Sequence, residues 1–346
     1  MQRSALYAPY APPETGSRWN QPKHRLLIVV AGLLLLSVGL LARVITLLPS
    51  GKPGGIPGPT SSPSIQAAAS MLEDVTTHQV LFAYNMDAEL PMASTTKIMT
   101  AVVALETGHL DQSVTIGSDV LDLPDGASRM GLLPGDVLTM RQLLYGLLLP
   151  SGDDAAIAIA DAVSEERGAN FVDLMNQQAQ VLGLTHTHYV NPHGLDARGH
   201  YTSASDLVTL TLFALRLPFF STVIDTYVYT IPDSPQHHAF LPLKNTNELL
   251  APNTGYPGAN GVKTGSTSRA GDCLVFAATR NGRQLVGVVL GAPSDEARFT
   301  DARTLLDWGF SERGSASNLP YPQVLDHMIE LALDRHQDRQ RQRTSQ

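Results

Sequence analysis

The apolar residues of this chain fall into three regimes. From Leu26 to Leu48 they run almost without a break, and Arg43 is the one charge, near the far end. These 23 residues are long enough to cross a bilayer as a helix, and Arg43 can reach the interface by snorkelling. A Pro/Gly/Ser-rich stretch, 49–64, follows and reads as a flexible spacer. Beyond it the pattern is that of a folded domain. Gln66–Leu72 and Gln79–Tyr84 predict strands, and from Ser94 a helix begins that is apolar on nearly every side, hence buried. Helical spacing recurs over Met140–Leu149, Asp154–Ser164, Asn170–Leu182 and Ser205–Leu215, the last ended by Pro218. Cys273–Thr279 and Gln284–Leu290 then read as strands joined through Asn281-Gly282, a strong hairpin signal. A helix over Phe299–Phe310 closes the domain, and the polar remainder carries at most one more, Val324–Leu333.

Strands at both ends with helices between predict an α+β domain whose sheet is assembled from both termini around a helical insertion. The organisation is a tail (1–25), a membrane span (26–48), a linker (49–64), one domain (65–312) and a polar tail (313–346). The first tail holds Arg3, Arg18, Lys23 and Arg25 against a single acid, Glu14. That flank keeps the N-terminus in the cytoplasm and sends the domain across the membrane. No small-residue cleavage site follows closely, so the segment reads as an uncleaved signal anchor.

Composition narrows this picture. A net charge of −8 and a pI near 5.7 argue against a nucleic-acid surface. Cys273 is the only cysteine, so no internal disulfide forms. His186, His188, His193 and His200 with Asp196 invite a zinc hypothesis, but H-E-x-x-H is absent and Asn191-Pro192-His193-Gly194-Leu195-Asp196 reads more simply as a turn. No metal and no cofactor are expected.

Three short motifs carry chemistry. Ser94 and Lys97 stand three apart at a buried helix start and so share a face. There a serine can be a nucleophile beside a basic amine, or simply a helix cap. Ser151 precedes a helix on a loop, and Ser151 with Asp154 also matches a capping box. Lys263-Thr264-Gly265-Ser266 reads as a strand edge able to align a substrate backbone, with a lysine adding positive potential.

In order, Ser94-Thr95-Thr96-Lys97, Ser151-Gly152-Asp153 and Lys263-Thr264-Gly265 resemble the three-motif signature of penicillin-recognising serine enzymes. Pro91-Met92-Ala93 before the first motif, Asn191–Asp196, Gly261-Val262 before the third, Cys273-Leu274-Val275 and Trp308-Gly309-Phe310 narrow the resemblance to serine-type D-alanyl-D-alanine carboxypeptidases, the low-molecular-weight penicillin-binding proteins. It runs from about Ala67 to Phe310. It implies the β-lactamase/transpeptidase-like fold, an antiparallel sheet flanked by helices with an all-helical subdomain. It also implies a substrate, the D-Ala-D-Ala end of peptidoglycan stem peptides, with β-lactams as inhibitors.

On this resemblance Ser94 attacks the penultimate D-Ala carbonyl, Lys97 is the general base and Ser151 relays a proton to the leaving amine. Backbone N–H groups of Ser94 and Ser266 form an oxyanion hole. Lys263 and Thr264 hold the substrate's terminal carboxylate, with Arg298 as a second partner, and Gly265, Ser266 and Asp153 count among the substrate-binding residues.

One position departs from the family pattern. Asp153 stands where these enzymes usually carry Asn. Ionised Asp only accepts hydrogen bonds, and an anion beside Lys97 opposes a neutral amine. On sequence alone Asp153→Asn should therefore retain or raise activity near neutral pH. The same departure leaves a non-catalytic, membrane-tethered homologue as the alternative, beside an endopeptidase or transpeptidase using the same site. A class A β-lactamase is disfavoured because no E-x-x-L-N sequence lies between Asp154 and Lys263.

Overall fold

The computed structural model describes residues 62–107 and 109–311. The apolar span 26–48, most of the linker, the tail from 313 and the helix expected over Val324–Leu333 lie outside the described residues. Among the described residues no single helix is long and apolar enough to cross a membrane.

The first hairpin is β1 (Ala69–Asp74) and β2 (Gln79–Tyr84). β1 starts three residues later than the sequence pattern suggested, because the Gln66 and Ala67 amides are held instead by the Asp301 carboxylate, at 2.9 Å for its Oδ2. The weak turn signal at Asp74–Thr77 has a side-chain basis: Asp74 Oδ1 accepts the Thr76 and Thr77 amides at 2.9 and 3.2 Å.

A 3-10 turn, Ala93–Thr96, then leads into α1 (Lys97–Leu105), every residue of which is buried. Ser94 thus lies in the tight turn before the α-helix rather than within it. Short strands β3 (Ser113–Thr115) and β4 (Val137–Thr139) pair with each other. Around α1 pack α2 (Met140–Leu148), α3 (Asp153–Arg167), α4 (Phe171–Val181), α5 (Ala204–Leu215) and α6 (Pro218–Ile224). Their ends follow local chemistry. Thr139 and Gln142 form a capping box on α2, Asn170 and Ser203 cap α4 and α5, and Pro218 occupies the first turn of α6.

A second small ladder, β5 (Val228–Tyr229) with β6 (Leu243–Lys244), precedes the long strands β7 (Ala259–Thr267), β8 (Gly271–Arg280) and β9 (Arg283–Ala292). Asn281 and Gly282 join β8 to β9 with φ of +53° and +79°, the twisted two-residue turn their sequence demands. The chain returns through α7 (Asp295–Phe310), which begins four residues before the expected Phe299 because Ser294 caps it.

The main sheet is antiparallel with strand order β2-β1-β9-β8-β7. The two ends of the domain therefore meet in its middle: β1 pairs with β9, and Ser70 Oγ donates to the Val288 carbonyl at 2.7 Å across 218 residues of sequence. Alternate side chains of β8 divide two cores. Leu274, Phe276 and Ala278 pack with Leu72, Leu285, Ala302, Leu305 and Leu306 under α7. Val275 and Ala277 join Val286, Val288 and the helical core on the other face. β7 is left as an edge strand, and its neighbour is the 3-10 turn that carries Ser94.

Candidate active site

The turn at Ser94 is fixed from three sides. Ala93 adopts φ +48°, a conformation an L-residue seldom takes without support. Its carbonyl accepts Thr96 Oγ1 at 2.8 Å, and Thr95 Oγ1 donates to the Met92 carbonyl at 2.7 Å. Thr96 Oγ1 also meets His200 Nε2 at 2.8 Å. His200 Nδ1 accepts the Val190 amide at 3.0 Å, so Nε2 carries the proton and donates to Thr96. Burial holds the His200 pKa down at about 4, so the ring is neutral and buttresses the turn. Two glycines permit the closest approaches. A Cβ on Gly194 would lie 2.0 Å from the Ala93 oxygen, and one on Gly265 would lie 2.9 Å from the Ser94 nitrogen. The turn is thereby clamped between the 191–196 loop and β7.

Lys97 is fully buried, and its Nζ has three acceptors: Ser94 Oγ at 2.8 Å, Asp153 Oδ1 at 2.5 Å and the His193 carbonyl at 2.6 Å. Burial lowers the Lys97 pKa below the usual lysine value, and the Asp153 anion opposes that shift without cancelling it.

Ser151 sits at φ +67° on the loop before α3. Its Oγ is buried and has no hydrogen-bond partner among the described residues. The capping-box reading of Ser151 with Asp154 is not what forms. Gly152 is the cap residue of α3, without a side-chain cap, and Asp154 turns away to accept the amides of Met130, Gly131 and Leu132 at 2.9–3.0 Å. Asp153, the first residue of α3, is held by a loop that no local motif connects with it: its Oδ2 accepts the Ser128 amide at 3.1 Å, and its own amide donates to the Ser128 carbonyl at 2.8 Å.

The third motif lies on β7. Lys263 is buried, and its Nζ donates to the Thr264 carbonyl at 3.0 Å. Burial, then the cations Lys97 and Arg298, push its pKa well below the ordinary range. Thr264 Oγ1 is 2.5 Å from Thr246 Oγ1, and the Thr246 amide donates to the Leu149 carbonyl, which ties the third motif to the loop bearing the second. Ser266 is exposed. Arg298 stands against β7: its guanidinium donates to the Gly265 carbonyl at 2.9 Å and pairs with Asp272 and Asp295. It therefore braces the strand and adds positive potential, rather than standing free for a ligand.

Ser94, Lys97, Asp153 and the Lys263–Gly265 strand thus come together, as the motif order suggested, and Ser151 lies two residues before Asp153 on the loop that Thr246 ties to that strand. The histidines do not gather around a common point. His188 Nδ1 bonds the Gly199 carbonyl, His193 Nδ1 accepts the Leu195 amide, and His200 belongs to the Thr96 buttress. Ser128 and Thr246 carried no signal as parts of the site, Thr96 stood unremarked inside the first motif, and His200 was singled out only as a candidate metal ligand.

The D-alanyl-D-alanine carboxypeptidase family, Peptidase S11, matches residues 58–294. A D-alanyl-D-alanine carboxypeptidase of Streptomyces sp. (strain K15) is 38% identical over 286 residues, covering 78% of this chain and 97% of that protein. The crystal structure of the Streptomyces K15 DD-transpeptidase superposes with a TM-score of 0.68 at 38% identity, covering 72% of this chain and 99% of that one. The carboxypeptidase DacC of Escherichia coli is 35% identical over 266 residues, 72% of this chain, but the match spans only 62% of that longer relative. On the family match and these identities together, the chain belongs to the D-alanyl-D-alanine carboxypeptidase family, Peptidase S11.

Proposed function

We propose that this chain is a serine DD-peptidase that removes the terminal D-Ala from peptidoglycan stem peptides through an acyl-Ser94 intermediate, and that β-lactams acylate the same serine. The observation that carries this reading is the contact of Ser94 Oγ with Lys97 Nζ at 2.8 Å, in a turn pressed against the Gly265 edge of β7. Lys97 takes the Ser94 proton as Oγ attacks the penultimate D-Ala carbonyl. The oxyanion forms between the Ser94 and Ser266 amides. The substrate's carboxylate lies along Lys263 and Thr264, with Arg298 adding field from behind the strand. Ser151 Oγ, unpartnered among the described residues, carries a proton to the departing D-Ala nitrogen. Water then releases the acyl group, or an amine takes it. One relative is named carboxypeptidase and a solved relative is named transpeptidase, which supports either acceptor.

The domain is held outside the cytoplasmic membrane by Leu26–Leu48. The 23-residue apolar run and its basic N-terminal flank support that placement.

The test is labelling with a fluorescent penicillin beside Ser94→Ala, followed by D-Ala release from an acyl-D-Ala-D-Ala peptide with and without a glycine acceptor. Stable label on the parent alone, with D-Ala released, is expected. No label at any pH would leave the tethered non-catalytic homologue, and rapid penicillin turnover would return a β-lactamase. N-terminal sequencing of membrane-extracted protein tests the anchor; a start beyond Leu48 would refute it.

A further inference from the structure

We propose that Asp153 is part of the proton-transfer machinery: it receives the proton that Lys97 must give up, so the working base is a Lys97–Asp153 pair holding one proton. This deepens the serine-peptidase reading and rests on it. It reverses the sequence-based expectation that the carboxylate is a handicap which Asn would relieve.

Three observations lead there. First, Lys97 Nζ and Asp153 Oδ1 are 2.5 Å apart, with side chains 0% and 3% exposed. Such a site penalises both charges, so the neutral pair, amine beside carboxylic acid, competes with the ion pair at the same total proton count. Second, both Asp153 oxygens face donors, Lys97 Nζ on one side and the Ser128 amide on the other. An Asn must turn its NH₂ toward one of them. Facing Ser128 it opposes donor to donor, and facing Lys97 it is compatible only with an amine that has already lost its proton. The pocket is shaped for a carboxylate. Third, Nζ has three acceptors. These satisfy an ammonium. They equally satisfy the amine once it has turned about its Cε–Nζ bond, bringing its lone pair from Oδ1 to the Ser94 hydroxyl and its two N–H groups to the Asp153 and His193 oxygens. The proton can move without any heavy atom doing so.

The step balances. One Nζ–H bond breaks as Oδ1–H forms. Ser94 Oγ–H breaks as Nζ–H is remade and Oγ bonds the substrate carbonyl carbon. On collapse the C–N bond to the terminal D-Ala breaks, its nitrogen takes a proton from Nζ through Ser151 Oγ, and Oδ1–H returns its proton to Nζ. The pair ends as it began.

The charged and titratable groups around the pair come from every neighbouring element. Asp154 follows on α3, His193 lies on the 191–196 loop, Lys263 is on β7, and Arg298 on α7 acts through Lys263. His193 is held near pKa 4 by burial and stays neutral above that value. The acid limb of the pH profile then reports a second proton entering the pair. Without the carboxylate, Lys97 must lose its proton to solvent before each turnover.

The experiment is the pH dependence of Ser94 acylation by a fluorescent penicillin, and of kcat/KM on an acyl-D-Ala-D-Ala peptide, for the parent, Asp153→Asn and Asp153→Ala. The alanine variant places no donor against Ser128. In both variants the acid limb moves to higher pH, with a loss of about tenfold per pH unit below it, and recovers at alkaline pH. Structural damage would not be repaired by raising the pH. An acid limb that moves to lower pH would show the carboxylate to be only a brake on Lys97 and overturn the proposal. An unmoved limb, or a variant inert at every pH while its thermal melt stays native, would overturn it too. A parent that takes no label at any pH would refute the serine-peptidase reading itself, and the proton pair with it.

Discussion

Gly194→Ala tests whether the nucleophile turn is positioned by its neighbours or would hold its shape alone. Gly194 has φ +97°, and an added Cβ would sit 2.0 Å from the Ala93 oxygen, 2.5 Å from the Ala93 carbonyl carbon and 3.0 Å from the Ser94 nitrogen. Two costs follow. The left-handed backbone strains any L-side chain by about 1–2 kcal/mol. Relief of the oxygen contact needs a movement of about 1 Å, and a displacement of that size at reacting atoms costs about 100-fold in rate. That figure, about 2.7 kcal/mol, matches the lower end of what losing one oxyanion-hole donor costs. Gly168→Ala separates the two costs, because Gly168 has φ +60° with nothing within 4 Å of the added carbon. Stopped-flow acylation and thermal melts on both variants form the assay. Gly168→Ala should melt about 2–8 °C lower, since 1 kcal/mol moves a domain of this size by about 2–4 °C, and Gly194→Ala lower still because of the overlap. Only Gly194→Ala should acylate about 100-fold more slowly. Equal acylation rates in the two variants would refute the claim that the 191–196 loop sets the Ser94 geometry.

Two further outcomes follow from buried polar groups. Ser151→Ala removes a hydroxyl with no partner among the described residues, so its melting temperature should match the parent while turnover falls about 100-fold or more; a melting shift without a rate loss would make Ser151 structural. His200, buried and held near pKa 4 against about 6.5 when unfolded, binds a proton more readily in the unfolded chain. Its contribution is full above about pH 6.5 and is lost as pH falls toward 4, a change of roughly 3 kcal/mol. Urea melts over that range should show this slope, and His200→Gln should flatten it at a cost in stability near neutrality. An unchanged slope would place the proton elsewhere.

The parts of this fold legible in the sequence are those with local causes. The apolar surround of Ile98–Leu105 could only be a buried helix, and Asn281-Gly282 could only be a tight hairpin. The site was legible where its residues share short motifs. What stayed hidden depends on distant backbone. Ser128 reaches Asp153 across 25 residues by a main-chain amide, which any residue type could supply. Asp154 reads as a cap until the loop at 130–132 is folded beside it. Asp153 was visible as an oddity, but its sign was not, since that depends on which donors face its two oxygens. The start of β1 was misplaced because the competing partner of Gln66 and Ala67 is Asp301, 235 and 234 residues away.

The pairing of β1 with β9 sets the order in which this domain can assemble. Bringing Ser70 to Val288 closes a loop of 218 residues, an entropic cost of about 5 kcal/mol before the first ladder bond forms. The β8–β9 hairpin closes over two residues and can form at once. On a chain emerging N-terminus first, β1 and β2 wait with a bare edge while the helices between them and β7 condense, and the sheet is sealed only after Ala292 has been made. The nucleophile turn is built early, but the strand that clamps it arrives among the last. Catalytic competence should thus appear in one late step, and truncation anywhere within β9 should abolish activity and leave the first hairpin open to association with other chains.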